Sequence, residues 1–454
     1  MPKAVKDAII APKPPISGEC QIKSILICEC SSYGTTNCHD SQPAIAFNEG
    51  RRLVKISILM LVTAMVFAPA FVCAGGNVNV TTVIVDPQPP DSTTIGYLEK
   101  AIGQFTSASS PNIIIVEVNC SAVRLYQNFS PVTGLWLPTT LNVDSIGNPK
   151  WPYCYERARP IKFTGDTYDN LVLSTGDTVS VLLNPANSGH DPTIAQWRRV
   201  IIANRGSHDI RVVDIDGDGK LDIIASGSVT LPAYPNFIAY QNSPTDWQVV
   251  NGPLGPDGAS MGDAVAAANV QGRPAMVGAS TSDGKLYWFA YPGSRTGSWA
   301  AHIIGSADSG VSLAASTFPN GLSYVAMAAN ELIGGAPGLR VFTPQADPTR
   351  PWNQTVVDGT YQAVHEIDAG TWAGEPYLVV GEQDQACSGA NGFHGPPCRV
   401  TLFRSPDNGA SWTATAMDTQ DVHNQQALQF DQNLLVAGEG FGHAPAVKVW
   451  VISH

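Results

Sequence analysis

Charge is scarce in this chain. Charged residues make up 14% of its 454 positions, where a typical soluble protein has about a quarter. That scarcity, with 42 Gly and 34 Pro, excludes a coiled coil or a highly charged disordered chain and suits a turn-rich β protein. Basic excess is missing too. The formal net charge of −12 disfavours nucleic acid and anionic membrane as partners. No basic stripe, phosphate-binding Walker loop or dinucleotide-binding glycine fingerprint is present. Cysteine is sparse beyond residue 75, where only Cys120, Cys154, Cys387 and Cys398 occur.

The one long uncharged run sits at an unusual place. Arg51, Arg52 and Lys55 precede an apolar stretch from Ile56 to about Val72, and Val72-Cys73-Ala74 offers small residues for cleavage. This is a signal-peptide pattern beginning near residue 51. The alternative is an uncleaved anchor, because about 18 apolar residues just span a bilayer. Both readings put residues from Gly75 onward outside the cytoplasm: secreted, periplasmic or on the cell surface, with membrane contact only if the leader is retained. Residues 1–50 then read as a non-native or disordered extension. The four remaining cysteines fit disulfides in an exported protein, Cys120 with Cys154 and Cys387 with Cys398 by sequence proximity.

What is present is most distinctive at Asp214-Ile215-Asp216-Gly217-Asp218-Gly219-Lys220-Leu221-Asp222. Carboxylates at positions 1, 3, 5 and 9, with the Lys220 carbonyl at position 7, suit a hard, oxygen-seeking cation such as Ca2+. Gly219 permits the sharp turn. An EF-hand would need a bidentate Glu at position 12, which is Ala225, and the flanks DIRVV and LDIIAS read as strands. The expected element is a structural calcium loop closing a β-hairpin.

A repeat accompanies it. Trp197, Trp247, Trp299, Trp352 and Trp412 recur at spacings of 50, 52, 53 and 60, each followed by a polar loop, a pair of apolar strands and a third strand. Four strands per repeat at this period is the sequence signature of a β-propeller. The expected architecture is all-β. Residues 195–454 form a propeller of four-stranded blades, five favoured with closure by the Trp197 strand, preceded by a β-rich domain over 75–194. If that region instead supplies two further blades, the ring has seven. A helix is expected near Ile95 to Phe105.

Two family resemblances follow from these motifs. The acidic loop between strands resembles FG-GAP/VCBS repeats, the blades of integrin alpha-chain N-terminal propellers and of many secreted bacterial proteins. Ser405-Pro406-Asp407-Asn408-Gly409-Ala410-Ser411-Trp412 resembles the Asp-box of sialidase-like propellers, placed as there between third and fourth strands. The resemblance implies adhesion or recognition more than catalysis. The arginines and FRIP-like motif of true sialidases are not recognisable, and a fold hosts many functions.

Aligning the repeats puts His208, Asp263, Ser312, His365 and His423 at one equivalent position, where each innermost strand begins. Loops joining second to third strands add Asn330, Glu331, Glu382, Asp384, His394, Glu439 and His443. Histidines and carboxylates around one channel mouth suit ligand binding, a second divalent metal, or acid–base work. The leading expectation is a secreted, calcium-stabilised propeller binding a carbohydrate or surface protein through His208, Asp263, His365, His394, His423 and His443. The alternative is a metal-dependent polysaccharide or sugar-acid lyase, with catalytic candidates His208, Asp263, His365, His423, Glu382 and Glu439. A scaffold with no small-molecule site is the third reading.

Overall fold

The structure is a computed structural model. It describes residues 78–86, 98–107, 110–117, 122–128, 136–144, 157–227, 235–254, 265–280, 283–307, 311–329, 338–382, 398–419, 425–439 and 446–454. The expected leader and extension, residues 1–74, lie outside that set, as does at least one cysteine of each expected disulfide.

Every described strand belongs to one of seven four-stranded antiparallel sheets. Strand β1 (Asn79–Asp86) stands apart in sequence from the sheet it completes. Blade 1 contains β2 (Leu98–Ser107), β3 (Ser110–Glu117), β4 (Val123–Asn128) and β5 (Trp136–Thr140). Blade 2 contains β6 (Arg157–Ile161), β7 (Asn170–Ser174), β8 (Val179–Leu183) and β9 (Arg198–Ala203). Blade 3 is β10 (Ile210–Val213), β11 (Asp222–Ala225), β12 (Phe237–Ser243) and β13 (Asp246–Asn251). Blade 4 is β14 (Val265–Val270), β15 (Arg273–Ser280), β16 (Lys285–Ala290) and β17 (Ala300–Ser306). Blade 5 is β18 (Val311–Thr317), β19 (Ser323–Ala329), β20 (Leu339–Thr343) and β21 (Asn353–Asp358). Blade 6 is β22 (Val364–Trp372), β23 (Glu375–Glu382), β24 (Val400–Arg404) and β25 (Thr413–Asp418). Blade 7 takes β26 (Gln425–Phe430), β27 (Asn433–Glu439) and β28 (Val447–Ser453), with β1 as its outer strand.

The first strand of each blade packs against the first strands of both neighbours, so β2, β6, β10, β14, β18, β22 and β26 close a ring. This is a seven-bladed β-propeller. Five blades and a separate domain over 75–194 are therefore corrected, since that region supplies β1, blade 1 and most of blade 2. Closure is corrected as well. The strand after Trp197 pairs with β8 in its own blade, and β1 joins the chain's two ends by pairing antiparallel with β28 from Asn79↔Ser453 to Asp86↔Val447.

The helix expected near Ile95 to Phe105 is β2. Leu98, Ala101, Ile102 and Phe105 mimic a helical stripe, but an innermost strand is buried on both sides by its neighbours. Ala101 and Phe105 pack towards blade 2, while Ile102 packs towards blade 7. Both faces are therefore apolar and the period-2 signal is lost.

The tryptophans work between blades. Trp197 is fully buried in the core shared by blades 1 and 2, 6.4 Å from the Phe105 ring. Trp247 meets Phe163 of blade 2 at 6.1 Å, and Trp352 meets Trp288 of blade 4 at 6.5 Å. Trp412 meets Tyr324 of blade 5 edge-on at 6.2 Å. Each stands at or just before an outer strand and reaches into the preceding blade, which sets the repeat period. Trp136 does the same from blade 1, in the core shared with blade 7.

Candidate functional site

In each blade the innermost strand starts at one face of the ring and ends at the other. His208 lies two residues before β10, and His365 is the second residue of β22. The chain register thus puts both at the same mouth, and their ring centroids are 5.8 Å apart in an edge-on arrangement. Ser312, second in β18, bridges blades 5 and 6, its Oγ 2.6 Å and 2.7 Å from the Val364 and His365 carbonyl oxygens. Asp263, His394, His423 and His443, with Asn330, Glu331 and Asp384, lie outside the described residues, as does the Glu439 side chain.

Glu382 ends β23 fully buried. Its Oε2 accepts from Arg399 Nε at 2.9 Å, and its Oε1 accepts from Arg399 Nη2 at 2.5 Å and from the Gln362 amide at 3.2 Å. The Arg399 guanidinium also covers the Tyr361 ring at 4.1 Å. These bonds tie the carboxylate into a blade 6 clasp with Arg399 and Gln362.

The most concentrated chemistry is a buried ionic network that the sequence reading missed. Arg157 Nη1 donates to Glu99 Oε1 at 3.2 Å, joining blades 1 and 2. Arg157 Nη2 lies 3.4 Å from His365 Nδ1 in blade 6. Asp209 Oδ1 is 3.6 Å from Arg157, 3.7 Å from Arg159 and 3.0 Å from Arg211. Arg159 also pairs with Glu366 across the ring, and Arg211 Nη2 donates to the Leu313 carbonyl of blade 5 at 3.0 Å. Burial pushes the Glu99 carboxyl up to about 7 against the pull of Arg157 and Lys100. Burial also works against the Glu366 carboxylate, but Arg159, Arg157 and Arg211 outweigh it and hold that group below its usual range. The available signal was the presence of RARP, HEID and LEK inside strands of an otherwise charge-poor chain. Buried charges survive only when paired.

The acidic loop joins β10 to β11 and therefore lies at the opposite face from His208. Among the described residues, Asp214, Asp216 and Asp218 form the one group of three ligating side chains whose oxygens lie within 4.8 Å of one another. Asp214 accepts from the Gly217, Asp218 and Gly219 amides at 2.8, 3.1 and 2.9 Å. Gly217 and Gly219 have φ of 76° and 84°, so both turn positions, not Gly219 alone, use glycine's left-handed freedom. Asp222 is not in that group, and its carboxylate accepts from the Ile215 and Gln241 amides at 3.1 Å and 2.8 Å. Burial raises its pKa to about 7. Lys220 Nζ donates to Asp218 Oδ2 at 3.1 Å. Arg295 of blade 4 donates from Nε to Asp216 Oδ2 at 2.7 Å and from Nη2 to Asp218 Oδ2 at 3.1 Å. The three carboxylates and their glycine turns fit a hard cation, and Arg295 holds two of the oxygens such an ion would use.

No family model matches the sequence, and no curated protein matches it. Among solved structures, a protein of unknown function from Dyadobacter fermentans aligns with a TM-score of 0.44 at 10% identity, covering 83% of this chain and 99% of that one. A triple arginine-to-alanine mutant of AofleA from Arthrobotrys oligospora aligns with a TM-score of 0.41 at 10% identity, covering 75% of this chain and 90% of that one.

Proposed function

We propose that this β-propeller is an exported, calcium-stabilised binding module of the FG-GAP/VCBS kind, with its central channel as the site for an extracellular carbohydrate or surface protein. The observation that carries the reading is the buried network of Arg157, Arg159, Arg211, Glu99, Asp209 and Glu366 around the axis. Charges drawn from four blades in a chain with so few are costly to bury, and a recognition site is the economical reason to keep them. His208 and His365 border that network at one mouth. The acidic loop takes a structural part, with Asp214, Asp216 and Asp218 as side-chain ligands of a Ca2+ ion at the far face.

Lyase chemistry is the weaker reading. Arg157 sets a fixed positive charge 3.4 Å from His365 Nδ1, which opposes a divalent cation at that nitrogen.

Glycan and surface-protein panels probed with the purified protein test the proposal, repeated after His365→Ala and after Asp216→Ala. Ligand capture weakened by His365→Ala, with Asp216→Ala lowering only the calcium-dependent melting temperature, is the expected pattern. Capture of nothing by the folded protein would sink the binding-module reading.

A further inference from the structure

The seven inner strands leave a cavity of ≈ 360 Å³ on the ring axis, lined from every one of them. That lies within the usual range of small-molecule sites. Four charged residues line it: Arg159, Arg211, Glu366 and Asp368. The first three belong to the axial network. Arg159 and Arg211 each pair with Glu366 and with Asp209, and Arg157 is matched by Glu99. The buried Lys100 acts on Glu99 and Glu366, while the charges that Asp368 feels most are Glu366, Arg159 and Arg211. Asp368 itself is left over. It accepts from two backbone amides, Ala427 at 2.6 Å and Ala369 at 2.8 Å, and no described Lys, Arg or His forms an ion pair with it. Asp209, Glu366 and Asp368 thus set three carboxylates against the two guanidinium groups of Arg159 and Arg211.

Each inner strand is the edge strand of its sheet, so alternate amides of β26 face the axis without a ladder partner. Asp368 crosses from blade 6 to cap the one at Ala427, which places its carboxylate on the channel wall. The residue is half-buried. A carboxylate offers about four acceptor sites, and the two amides use half of them. A second acceptor lines the same cavity. Gln426 is 5% exposed, and its Nε2 donates to the Lys100 and Ala158 carbonyl oxygens. Those two acceptors fix the orientation of the amide and leave Oε1 with no partner among the described residues. Unlike Gln425 Oε1, it is not fully buried. Much of the remaining wall is aliphatic: Val213, Ala267, Ala315, Ala369, Ala427 and Leu428 line the cavity and are half-buried.

This lining selects the charge of a ligand. An incoming carboxylate would be repelled by Asp368, and a hydroxyl would leave its charge unmatched. A primary ammonium supplies the missing positive charge and three N–H donors for the two acceptors. No aromatic ring lines the cavity among the described residues, so the cage that suits a quaternary ammonium is not available. Burial already works against the ionised Asp368 carboxylate and raises its pKa, a penalty that a bound cation offsets.

We infer that the axial cavity binds a primary ammonium group carried on a short aliphatic body, with its N–H groups directed to Asp368 and Gln426. The inference rests on the reading of the central channel as the binding site and gives its ligand a charge. A free small amine and the lysine side chain of a surface protein present the same chemistry.

Isothermal titration calorimetry of the purified protein tests it, with n-pentylamine as the free-amine probe and Nα-acetyl-lysine amide as the side-chain probe. Pentanol and pentanoate are the neutral and anionic controls. Pentylamine should bind at about one per chain and at least tenfold more tightly than either control. Equal binding of the lysine amide supports a surface-protein lysine as the source; its exclusion supports a free amine. Asp368→Asn keeps an acceptor for the Ala427 amide but removes the charge, and should weaken amine binding at least tenfold. Ala315→Leu fills the cavity without altering charge and makes the same test should the asparagine variant melt early. Amine binding untouched by both variants is attraction to the surface of an acidic protein and overturns the inference. Tighter binding of pentanol or pentanoate overturns the ligand class. No amine bound, with a glycan or surface protein captured in the panels, overturns the inference alone. No ligand of any kind takes down both.

Discussion

Arg295 decides how the acidic loop behaves without metal. Asp214, Asp216 and Asp218 bring three carboxylates within 4.8 Å, and an empty cluster of that kind should repel itself. Arg295 crosses from blade 4 to neutralise Asp216 and Asp218, anchored by a 2.7 Å bond to Asn242 Oδ1 and by stacking over Tyr240 at 5.0 Å. The loop therefore carries an internal cation that shares oxygens with the proposed Ca2+ ion. Arg295→Ala is expected to lower the melting temperature in chelator and to tighten calcium binding by about tenfold, roughly 1.4 kcal/mol. Calorimetric melting in chelator and in calcium, with a direct calcium titration, reads both effects. A variant that melts lower but binds calcium no tighter would show that Arg295 is only a strut. Lys220, whose backbone carbonyl is the expected ligand, also places its side-chain ammonium on Asp218. Side-chain partners brought from another blade have no local sequence signal, which is why Arg295 was invisible and the aspartates were not.

The turn between β24 and β25 shows what one element contributes to blade packing. Ser405 Oγ accepts from the Gly409 amide at 2.6 Å, and Asp407 accepts from the Ser411 amide at 2.8 Å and the Ser411 hydroxyl at 2.6 Å. These bonds fix the turn so that Trp412 leans on blade 5. Gly409 has φ of 89°, and a Cβ there would lie 2.4 Å from Phe318 Cζ. Gly409→Ala therefore meets both backbone strain and a clash with the neighbouring blade. It should cost about 1–3 kcal/mol, seen as an earlier urea midpoint; an unchanged midpoint would mean that the turn relaxes freely. Elements of this kind were legible because spacing and residue type state their chemistry locally. Blades 3 to 6 were readable through Trp247, Trp299, Trp352 and Trp412 with the strand pairs that follow. Blades 1 and 2 were not, since Pro138 and Pro160 sit within β5 and β6 and interrupt the usual strand composition. Strand β2, buried from Glu99 to Gly103, imitates a helix. At the candidate site, the nearness of His208, Ser312 and His365 to the starts of inner strands was legible, whereas Arg157, Arg159 and Glu366 were hidden among short strands with no motif.

Ring closure and the axial network set the stability of the whole molecule. Closure depends on β1, whose Val83 and Val85 pack with Leu435 and Val449 between blades 7 and 1. Val83→Asp buries a lone carboxylate there and should cost about 3 kcal/mol or more, with early proteolysis near β1 as its signature. Within the ring, Glu99, Arg157, Asp209 and Glu366 tie blades 1, 2, 3 and 6, so their protonation acts on the assembly and not on one blade. Glu99 has a folded-state pKa raised from 4.5 to about 7. A carboxyl raised on folding binds more protons in the native state between those values. Its contribution is complete below about pH 4.5 and is lost as pH rises towards 7. Asp368 is shifted in the same direction by burial, against its bond from the Ala427 amide. Glu366, held low by the arginines despite burial, contributes oppositely, and its share is lost only as pH falls below its unfolded range. Between pH 5 and pH 8 the first effect dominates, worth up to about 3 kcal/mol for Glu99. In chelator, which removes any calcium effect, the melting temperature should therefore fall as pH rises across that interval. Glu99→Gln should reduce the fall, because an amide has no proton to lose, while its carbonyl still accepts from Arg157; the part left belongs to Asp222, which burial also raises to about 7. A melting curve whose pH dependence is the same in wild type and Glu99→Gln would mean that the axial network stays ionised throughout, and that blades 1 and 2 are joined by a salt bridge insensitive to pH in this range.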